Sequence, residues 1–239
     1  MQIIAHRCGP TVYPEQTITS ARFALYSGAD LVEVDVRYTK DKKIACSHDA
    51  NVKRVFGVDR LVSDMTAEEF LSLRQAKDPS FPSHLFEHYL KCGIKPLLIH
   101  VKEVEVIPDL LELLSRYDYL DDVVLGIMKA DAVREVKEYS NKIKVLAFMP
   151  KVENIPEFVE AGADYIRLWE DWMSDETVSA VRAHPVGLWI MIGKDVLDRD
   201  VGVTTPEGLE KVLDYGVDGI LINDIDFLQE ALENRVNHK

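Results

Sequence analysis

The sequence predicts an α/β protein built as a single (β/α)8 barrel, on two observations. Its 239 residues suit one barrel of this kind, which needs roughly 250. Short apolar segments alternate with amphipathic ones, a pattern typical of repeated strand–helix units and a parallel sheet. Because eight such pairs can be counted and no linker is evident, we expect the sheet to close and residues 1–239 to form one domain.

The apolar pattern places the elements of this barrel. The predicted strands are Ile3–His6, Leu31–Val36, Leu97–Lys102, Val123–Met128, Lys144–Phe148, Tyr165–Trp169, Gly187–Met191 and Gly219–Ile222. The predicted helices are Pro14–Tyr26, Ala67–Gln75, Val106–Ser115, Ala132–Tyr139, Ile155–Ala161, Asp175–Ala183, Pro206–Tyr215 and Phe227–Asn234. Thr66 and Glu69 have the spacing of a capping box, and Pro206 suits the first turn of its helix.

Two patterns concern the connections. Gly-x-Asp segments at residues 28–30, 162–164 and 216–218 each end a predicted helix and precede a strand, where glycine favours a left-handed turn. Residues 51–93 are less regular and form a long excursion between the second and third strands. Long excursions in compact domains often carry function, so we expect an insertion after the second strand.

The composition argues against several classes of partner. The formal net charge is −13, whereas nucleic acids and anionic membranes favour positive surfaces. No segment approaches the ~20 apolar residues of a membrane span. The three cysteines do not suggest a disulfide framework. Since the N-terminus also lacks a leader pattern, we expect a cytoplasmic protein if Met1 is the natural start.

Two acidic residues mark the candidate site, because active sites of such barrels lie at the carboxyl ends of the strands. Side chains alternate along a strand, so Glu33 and Asp35 share the inward face, while Val32, Val34 and Val36 face the helices. Two inward acids are costly unless cations accompany them. A divalent metal ion and salt bridges to basic residues are both open, and the scarcity of basic residues nearby favours the metal.

Histidines and basic residues end other predicted strands, and His48 ends a short apolar run just past the acidic strand. His6 and His48 would suit general acid–base catalysis beside a metal, although a lone histidine is more often a packed residue. His100 and Lys102 share a face of the third strand. Lysine can bind phosphate as a point charge, and Arg7 can do so with a bidentate fork.

The order and spacing of six segments resemble the signature of the glycerophosphodiester phosphodiesterase family. They are His6-Arg7-Cys8-Gly9, Pro14-Glu15-Gln16-Thr17, Gly28-Ala29-Asp30, Glu33-Val34-Asp35-Val36, Thr39-Lys40-Asp41 and His48-Asp49. A weaker similarity continues through Lys102, Trp189 and residues 216–224, so the resemblance covers almost the whole chain.

This resemblance implies a barrel with an insertion after the second strand and a reaction of lipid metabolism. The reaction is hydrolysis of a small-molecule glycerophosphodiester to glycerol 3-phosphate and an alcohol. By position, His6 and His48 would be the acid–base pair, and Glu33 and Asp35 would bind one divalent metal ion, Mg or Ca.

The resemblance also implies a set of substrate-binding residues. Arg7 and Lys102 would hold the phosphate, and Glu15 would orient Arg7 within the pocket. Trp189 matches a tryptophan near the C-terminal end of the family pattern. An aromatic residue on a barrel strand can equally well belong to the hydrophobic core or line the pocket.

The sequence departs from the family pattern at the metal site and in the outer pocket. His100 stands where the family has its third ligand, a glutamate. If His100 binds the metal, the smaller negative charge and the imidazole should favour Mn, Fe, Co or Zn; if it does not, the site is weakened. Cys8 replaces a glycine, Gln16 an asparagine, residues 126–128 a Ser-Phe pair, and Ile190 a threonine.

Two other functions remain open. A related enzyme on this scaffold could act like a phospholipase D or release a cyclic phosphate, and the same acids and histidines would serve it. A phosphodiester-binding protein with little turnover is suggested by His100 and the altered pocket, but such a protein has no need of His6 and His48. The sequence does not indicate the oligomeric state.

Overall fold

A computed structural model describes residues 1–193 and 200–237. The strands are β1 (Gln2–Ala5), β2 (Leu31–Tyr38), β3 (Ile44–Cys46), β4 (Leu97–Val101), β5 (Val123–Ile127), β6 (Lys144–Ala147), β7 (Tyr165–Trp169), β8 (Gly187–Met191) and β9 (Gly219–Ile222). The helices are α1 (Ile18–Tyr26), α2 (Lys53–Phe56), α3 (Ala67–Leu71), α4 (Phe86–Lys91), α5 (Ile107–Arg116), α6 (Ala130–Tyr139), α7 (Ile155–Glu160), α8 (Asp175–Arg182), α9 (Pro206–Asp214) and α10 (Ile225–Asn237).

The sheet closes into the predicted eight-stranded parallel barrel. β1 pairs with β2 on one side and with β9 on the other, and the remaining parallel strands follow in chain order. β3 lies outside the barrel, antiparallel to the end of β2. Sequence analysis missed β3 because three residues are too few for an alternating pattern to be recognised.

Two apolar clusters fill the barrel wall and its interior. Val32, Val34 and Val36 belong to the large cluster between sheet and helices, as predicted. The interior cluster contains Ile4, Leu98, Val124, Leu146, Phe148, Trp189, Met191 and Leu221, and closes the barrel below the carboxyl ends of the strands. We call the opening formed by those ends the mouth.

The three Gly-x-Asp segments form the predicted left-handed turns and do more. Their glycines, Gly28, Gly162 and Gly216, have φ values of 94°, 99° and 63°. Their aspartates, Asp30, Asp164 and Asp218, accept hydrogen bonds from the backbone N–H groups of Ile3, Val145 and Leu188 at 2.7, 2.9 and 2.7 Å. Each of these rim aspartates thus fastens the strand that follows it to the neighbouring strand, at the end of the barrel opposite the mouth.

The insertion after β2 has a small core of its own, formed by Ala45, Val52, Phe56, Val62, Met65, Phe70 and Leu73. The capping box of Thr66 and Glu69 is present, as predicted. Helix α1 begins four residues later than predicted, at Ile18, because Gln16 has a φ of 57° and the Thr17 side chain caps the helix by accepting from Ser20 N–H. Among the described helices, none is long and apolar enough to cross a membrane.

Candidate active site

Three side chains at the mouth form a group that could hold a metal ion. Glu33 and Asp35 on β2 and His100 on β4 each offer one ligand atom, and these atoms lie within 4.8 Å of one another. Asp35 and His100 are direct partners in the β2–β4 register, so the parallel pairing itself brings them together. Both carboxylates are buried, and the His100 side chain is 12% exposed.

The group already has internal contacts. His100 Nδ1 lies 3.1 Å from Asp35 Oδ1 and 3.9 Å from Glu33 Oε1. Lys102 Nζ lies 2.9 Å from Asp35 Oδ1, so a salt bridge, the second possibility raised by the sequence, is present as well. The Gln16 side chain donates to Asp35 Oδ2 at 2.7 Å.

The electrostatics of the group favour a bound cation. Burial raises the pKa of Glu33, and the charge of Asp35 raises it further. Burial opposes ionisation of Asp35, but Lys102 and His100 hold its pKa well below the usual range. Burial and the nearby Lys102 lower the pKa of His100 to about 4, so its imidazole is neutral at neutral pH, as a metal ligand must be.

The donor set therefore fits a divalent metal ion. Two buried carboxylates with one ammonium partner leave negative charge that a cation would offset. Across residues 1–193 and 200–237, His100 Nε2 has no hydrogen-bond partner, so this nitrogen is available as a ligand atom. One imidazole and two carboxylates are ligands that Mn, Fe, Co and Zn accept readily.

His6 follows β1 and is oriented by an amide. The side-chain NH2 of Asn223, just after β9, donates to the carbonyl of Val201 at 3.1 Å, which turns Asn223 Oδ1 toward His6 Nδ1 at 2.8 Å. His6 Nδ1 must therefore carry the proton, and Nε2 has the lone pair. Burial and the charge of Arg7 lower the pKa of His6 to about 3.

His48 has a carboxylate as its partner. Its Nδ1 lies 2.6 Å from Asp49 Oδ1, so Nδ1 donates and Nε2 is again left for chemistry. Burial lowers the pKa of His48, and the bond to Asp49 opposes that shift. The carbonyl of His48 accepts from Arg37 at 3.0 and 3.2 Å, which fixes the loop that carries the imidazole.

Glu15 contacts two arginines. Arg7 Nη1 lies 3.5 Å from Glu15 Oε2. The stronger contact is with Arg54 of α2, which donates to both Glu15 oxygens at 2.7 Å and to Asp49 at 2.6 Å. Sequence analysis did not single out Arg54, because a side chain that reaches from the insertion to the mouth follows no local spacing.

Trp189 and Arg167 occupy the barrel interior. Trp189 has no exposed surface and stacks on Tyr165 with ring centroids 4.5 Å apart, so its contact with a substrate stays a prediction. Arg167 on β7 is 4% exposed and lies over the rings of Phe148, Trp169 and Trp172. Burial lowers the pKa of Arg167 to about 9.

The departure at Cys8 is accommodated locally. Cys8 has a φ of 71°, a conformation that glycine adopts more easily, and its thiol lies 3.6 Å from the Tyr89 hydroxyl. Burial raises the thiol pKa of Cys8, which fits packing rather than metal binding through a thiolate.

Residues 6–160 match the model of the glycerophosphoryl diester phosphodiesterase family. The chain belongs to this family. A glycerophosphodiester phosphodiesterase of Caldanaerobacter subterraneus is 25% identical over 249 residues, which cover 95% of each chain. One from Bacillus altitudinis is 44% identical over 68 residues, 28% of each chain.

The fold of the chain is also that of solved family structures. An Oleispira antarctica phosphodiesterase, solved in complex with sn-glycerol-3-phosphate, superposes with a TM-score of 0.84 at 17% identity, covering 98% of this chain and 97% of the other. As a member of the glycerophosphoryl diester phosphodiesterase family, the chain is a phosphodiesterase of the hydrolase class.

Proposed function

We propose that this phosphodiesterase hydrolyses a glycerophosphodiester to glycerol 3-phosphate and an alcohol, with a divalent metal ion and two histidines. One observation carries the proposal. In His6 and in His48, Nδ1 forms a hydrogen bond and Nε2 is left for proton transfer. Burial lowers the pKa of both histidines, and the charge of Asp35, one of the three residues that could hold a metal ion, opposes that shift. The glycerol 3-phosphate complex of the Oleispira antarctica relative supports the expected product.

Glu33, Asp35 and His100 would hold the metal ion. When bound, a divalent cation here would supply charge to a phosphate oxygen and stabilise the transition state. Gln16 keeps Asp35 oriented, and the backbone N–H of Arg7 donates to Glu33 Oε2 at 2.7 Å. Such contacts to metal-binding carboxylates restrict their rotation and so preserve the geometry of the site.

The partners of the two histidines suggest their roles. His6 has a neutral partner and a low pKa, so at neutral pH its Nε2 can accept a proton from the attacking hydroxyl or water. Burial lowers the pKa of His48 as well, but Asp49 beside it opposes that shift and would stabilise an imidazolium. We assign His6 as the general base and His48 as the acid that protonates the leaving alcohol.

Arg7 and Lys102 would bind the phosphate. Their side chains are 17% and 10% exposed, so both border the mouth. Within the described residues, Arg7 Nε lacks a hydrogen-bond partner and is available to a phosphate oxygen. Glu15, held by Arg54, would fix the position of the Arg7 guanidinium.

The test is release of glycerol 3-phosphate from glycerophosphocholine and glycerophosphoethanolamine by chelated protein resupplied with Mg, Ca, Mn, Co or Zn. We expect turnover to return with one or more metals, and to fall at least ~100-fold in His6→Ala and in His48→Ala with the fold intact. Full activity in either variant would refute the acid–base assignment.

The same experiment separates the other two functions. A cyclic phosphate product would point to cyclising cleavage, and action on lysophospholipids to a phospholipase D-like reaction; a human lysophospholipase D is 28% identical over 164 residues. A diester that binds but is recovered intact with every metal would favour a binding protein.

A further inference from the structure

Arg167 brings a positive charge into the interior of the barrel. It projects inward from β7 and is 4% exposed. Its guanidinium carbon lies 4.3 Å from the ring centre of Trp169, 5.1 Å from that of Phe148 and 5.6 Å from that of Trp172. The three rings thus form an aromatic cage, and an arginine of the chain itself occupies it.

The hydrogen bonds of this guanidinium are incomplete. In the part of the chain that the structure describes, Arg167 Nε and Nη1 have no hydrogen-bond partner. Asp171 attracts the charge of Arg167, and ring faces stabilise a cation, but among the described residues Nε and Nη1 have no acceptor. A buried hydrogen-bond donor without an acceptor reduces stability. A ligand that accepts hydrogen bonds from both of these N–H groups would remove that cost.

The position of Arg167 connects it to the proposed metal group. Phe148 stacks on His100, with ring centroids 4.1 Å apart, and also faces the Arg167 guanidinium. One aromatic ring therefore separates Arg167 from a metal ligand, and His100 feels the charges of both Lys102 and Arg167. A headgroup that extended from a phosphate held near His100 toward Phe148 would approach Arg167.

The partners of the basic side chains at the mouth leave Arg167 the most open to an acidic ligand. Arg7 lies near Glu15 and Lys102 near Asp35, whereas Nε and Nη1 of Arg167 have no hydrogen-bond partner among the described residues. A metal ion bound by Glu33, Asp35 and His100 would add positive charge on this side of the barrel. A quaternary ammonium, which aromatic cages commonly bind, would meet the arginine that already fills this cage.

We infer that Arg167 binds an acidic group, a carboxylate or phosphate, on the alcohol moiety of the substrate, and so makes this enzyme selective for anionic headgroups. The inference rests on the proposed function for its substrate class. A planar carboxylate can accept from Nε and Nη1 at once in the bidentate geometry that arginine offers.

Glycerophosphoserine and glycerophosphoethanolamine form a matched pair, because they differ by one carboxylate. Calorimetric binding of both to chelated full-length protein tests the inference without turnover. We expect the wild type to bind glycerophosphoserine at least ~10-fold more tightly than glycerophosphoethanolamine, which is the gain in affinity that hydrogen bonds to a charged group typically give. In Arg167→Met this preference should fall below threefold, and in Arg167→Lys it should be intermediate.

Arg182→Met is the control for loss of one positive charge, since Arg182 pairs with Asp218 at the end of the barrel opposite the mouth. It should retain the full preference, and thermal unfolding would establish that every variant is folded. Equal binding of the two diesters by the wild type, no binding of either, or a preference that survives in Arg167→Met would overturn the inference. Selective binding without turnover by any metal would refute the proposed hydrolysis and leave the anionic subsite standing.

Discussion

Lys102 Nζ lies 2.9 Å from Asp35 Oδ1, so an ammonium of the chain contacts a carboxylate that we assign to the metal ion. Two cations so close together repel each other. The lysine should therefore reduce the affinity for a metal ion at this group, and it would be able to contact a phosphate if a metal ion replaced it at Asp35.

Lys102→Met should change metal affinity and turnover in opposite directions. We expect Mn to bind roughly 5- to 10-fold more tightly, because a like charge is removed, while kcat falls at least ~100-fold through loss of a phosphate contact. Calorimetry and the glycerol 3-phosphate assay measure the two effects. Lys95→Met is the control, since Lys95 pairs with Asp122 away from the mouth. Unchanged or weaker Mn binding would contradict the competition between lysine and metal.

His100→Glu should alter the choice of metal. A third carboxylate adds negative charge and a hard oxygen ligand, so activity should return with Mg or Ca at lower concentrations than the wild type requires. The wild type should prefer Mn, Co or Zn. Metal titrations of activity in both proteins measure the shift, and His100→Gln controls for loss of the imidazole without added charge. If both proteins respond alike to all five metals, His100 is not a ligand.

Asn223→Asp should shift the acidic limb of the pH–rate profile. His6 has a pKa of about 3 and acts as base in its neutral form, so activity is lost only when the pH falls through that low value. A carboxylate on Nδ1 favours the imidazolium and raises the pKa, and the limb should therefore move to higher pH by about 1–2 units. The profile of kcat/KM measures this shift if it extends from about pH 2.5 to 9, so that it includes the wild-type limb.

Asn237→Asp makes the same chemical change in exposed α10 and should leave the profile unchanged. A limb that stays in place in Asn223→Asp would mean that His6 is not the base.

His84 predicts an acid-dependent loss of stability outside the site. Burial lowers its pKa to about 4, with a contribution from His88. Between pH 6.5 and 4 the unfolded chain, with a histidine pKa near 6.5, binds a proton at this position and the folded chain does not. The free energy of unfolding is therefore highest above pH 6.5 and declines as the pH falls toward 4. Over this pH range the free energy of unfolding of His84→Gln should fall by about 1–2 kcal/mol less than that of the wild type. This figure is reduced because the His84 side chain is partly exposed to solvent.

Urea denaturation at pH 8, 6 and 4.5 measures the difference in the free energy of unfolding between wild type and His84→Gln. At pH 8 the histidine is neutral in both the folded and the unfolded protein. Any difference in stability between the two proteins at that pH therefore reflects only the change in packing. An equal decline in the two proteins would show that His84 carries no proton linkage.

The strands and the shared inward face of Glu33 and Asp35 were predictable because both depend on local periodicity. Alternation also gave His100 and Lys102 a common face, whereas His100 as a possible third metal ligand came from the family resemblance; the register places it beside Asp35. His48 was noted as the end of a short apolar run just past the acidic strand, and it lies in a loop after β3.

Contacts between distant segments were not predictable. Arg54 joins Glu15 to Asp49, and the depth of Trp189 in the barrel depends on its opposition to Gly219 in the strand register. No spacing within the sequence specifies such pairs, since they depend on how the insertion folds back and how the strands are staggered. Asn223 was part of the closing motif, but its bond to His6 emerged only from the closed barrel.

The rim aspartates have a consequence for how this chain can diversify. Asp30, Asp164 and Asp218 secure strand pairs by side-chain bonds to backbone N–H groups, and these bonds are independent of the side chains at the mouth. A slip of one residue between strands would turn every inward side chain outward. Because the alignment is anchored at the far end, side chains at the mouth, such as His100 and Arg167, can be substituted without removing the bonds that fix the register of these strand pairs.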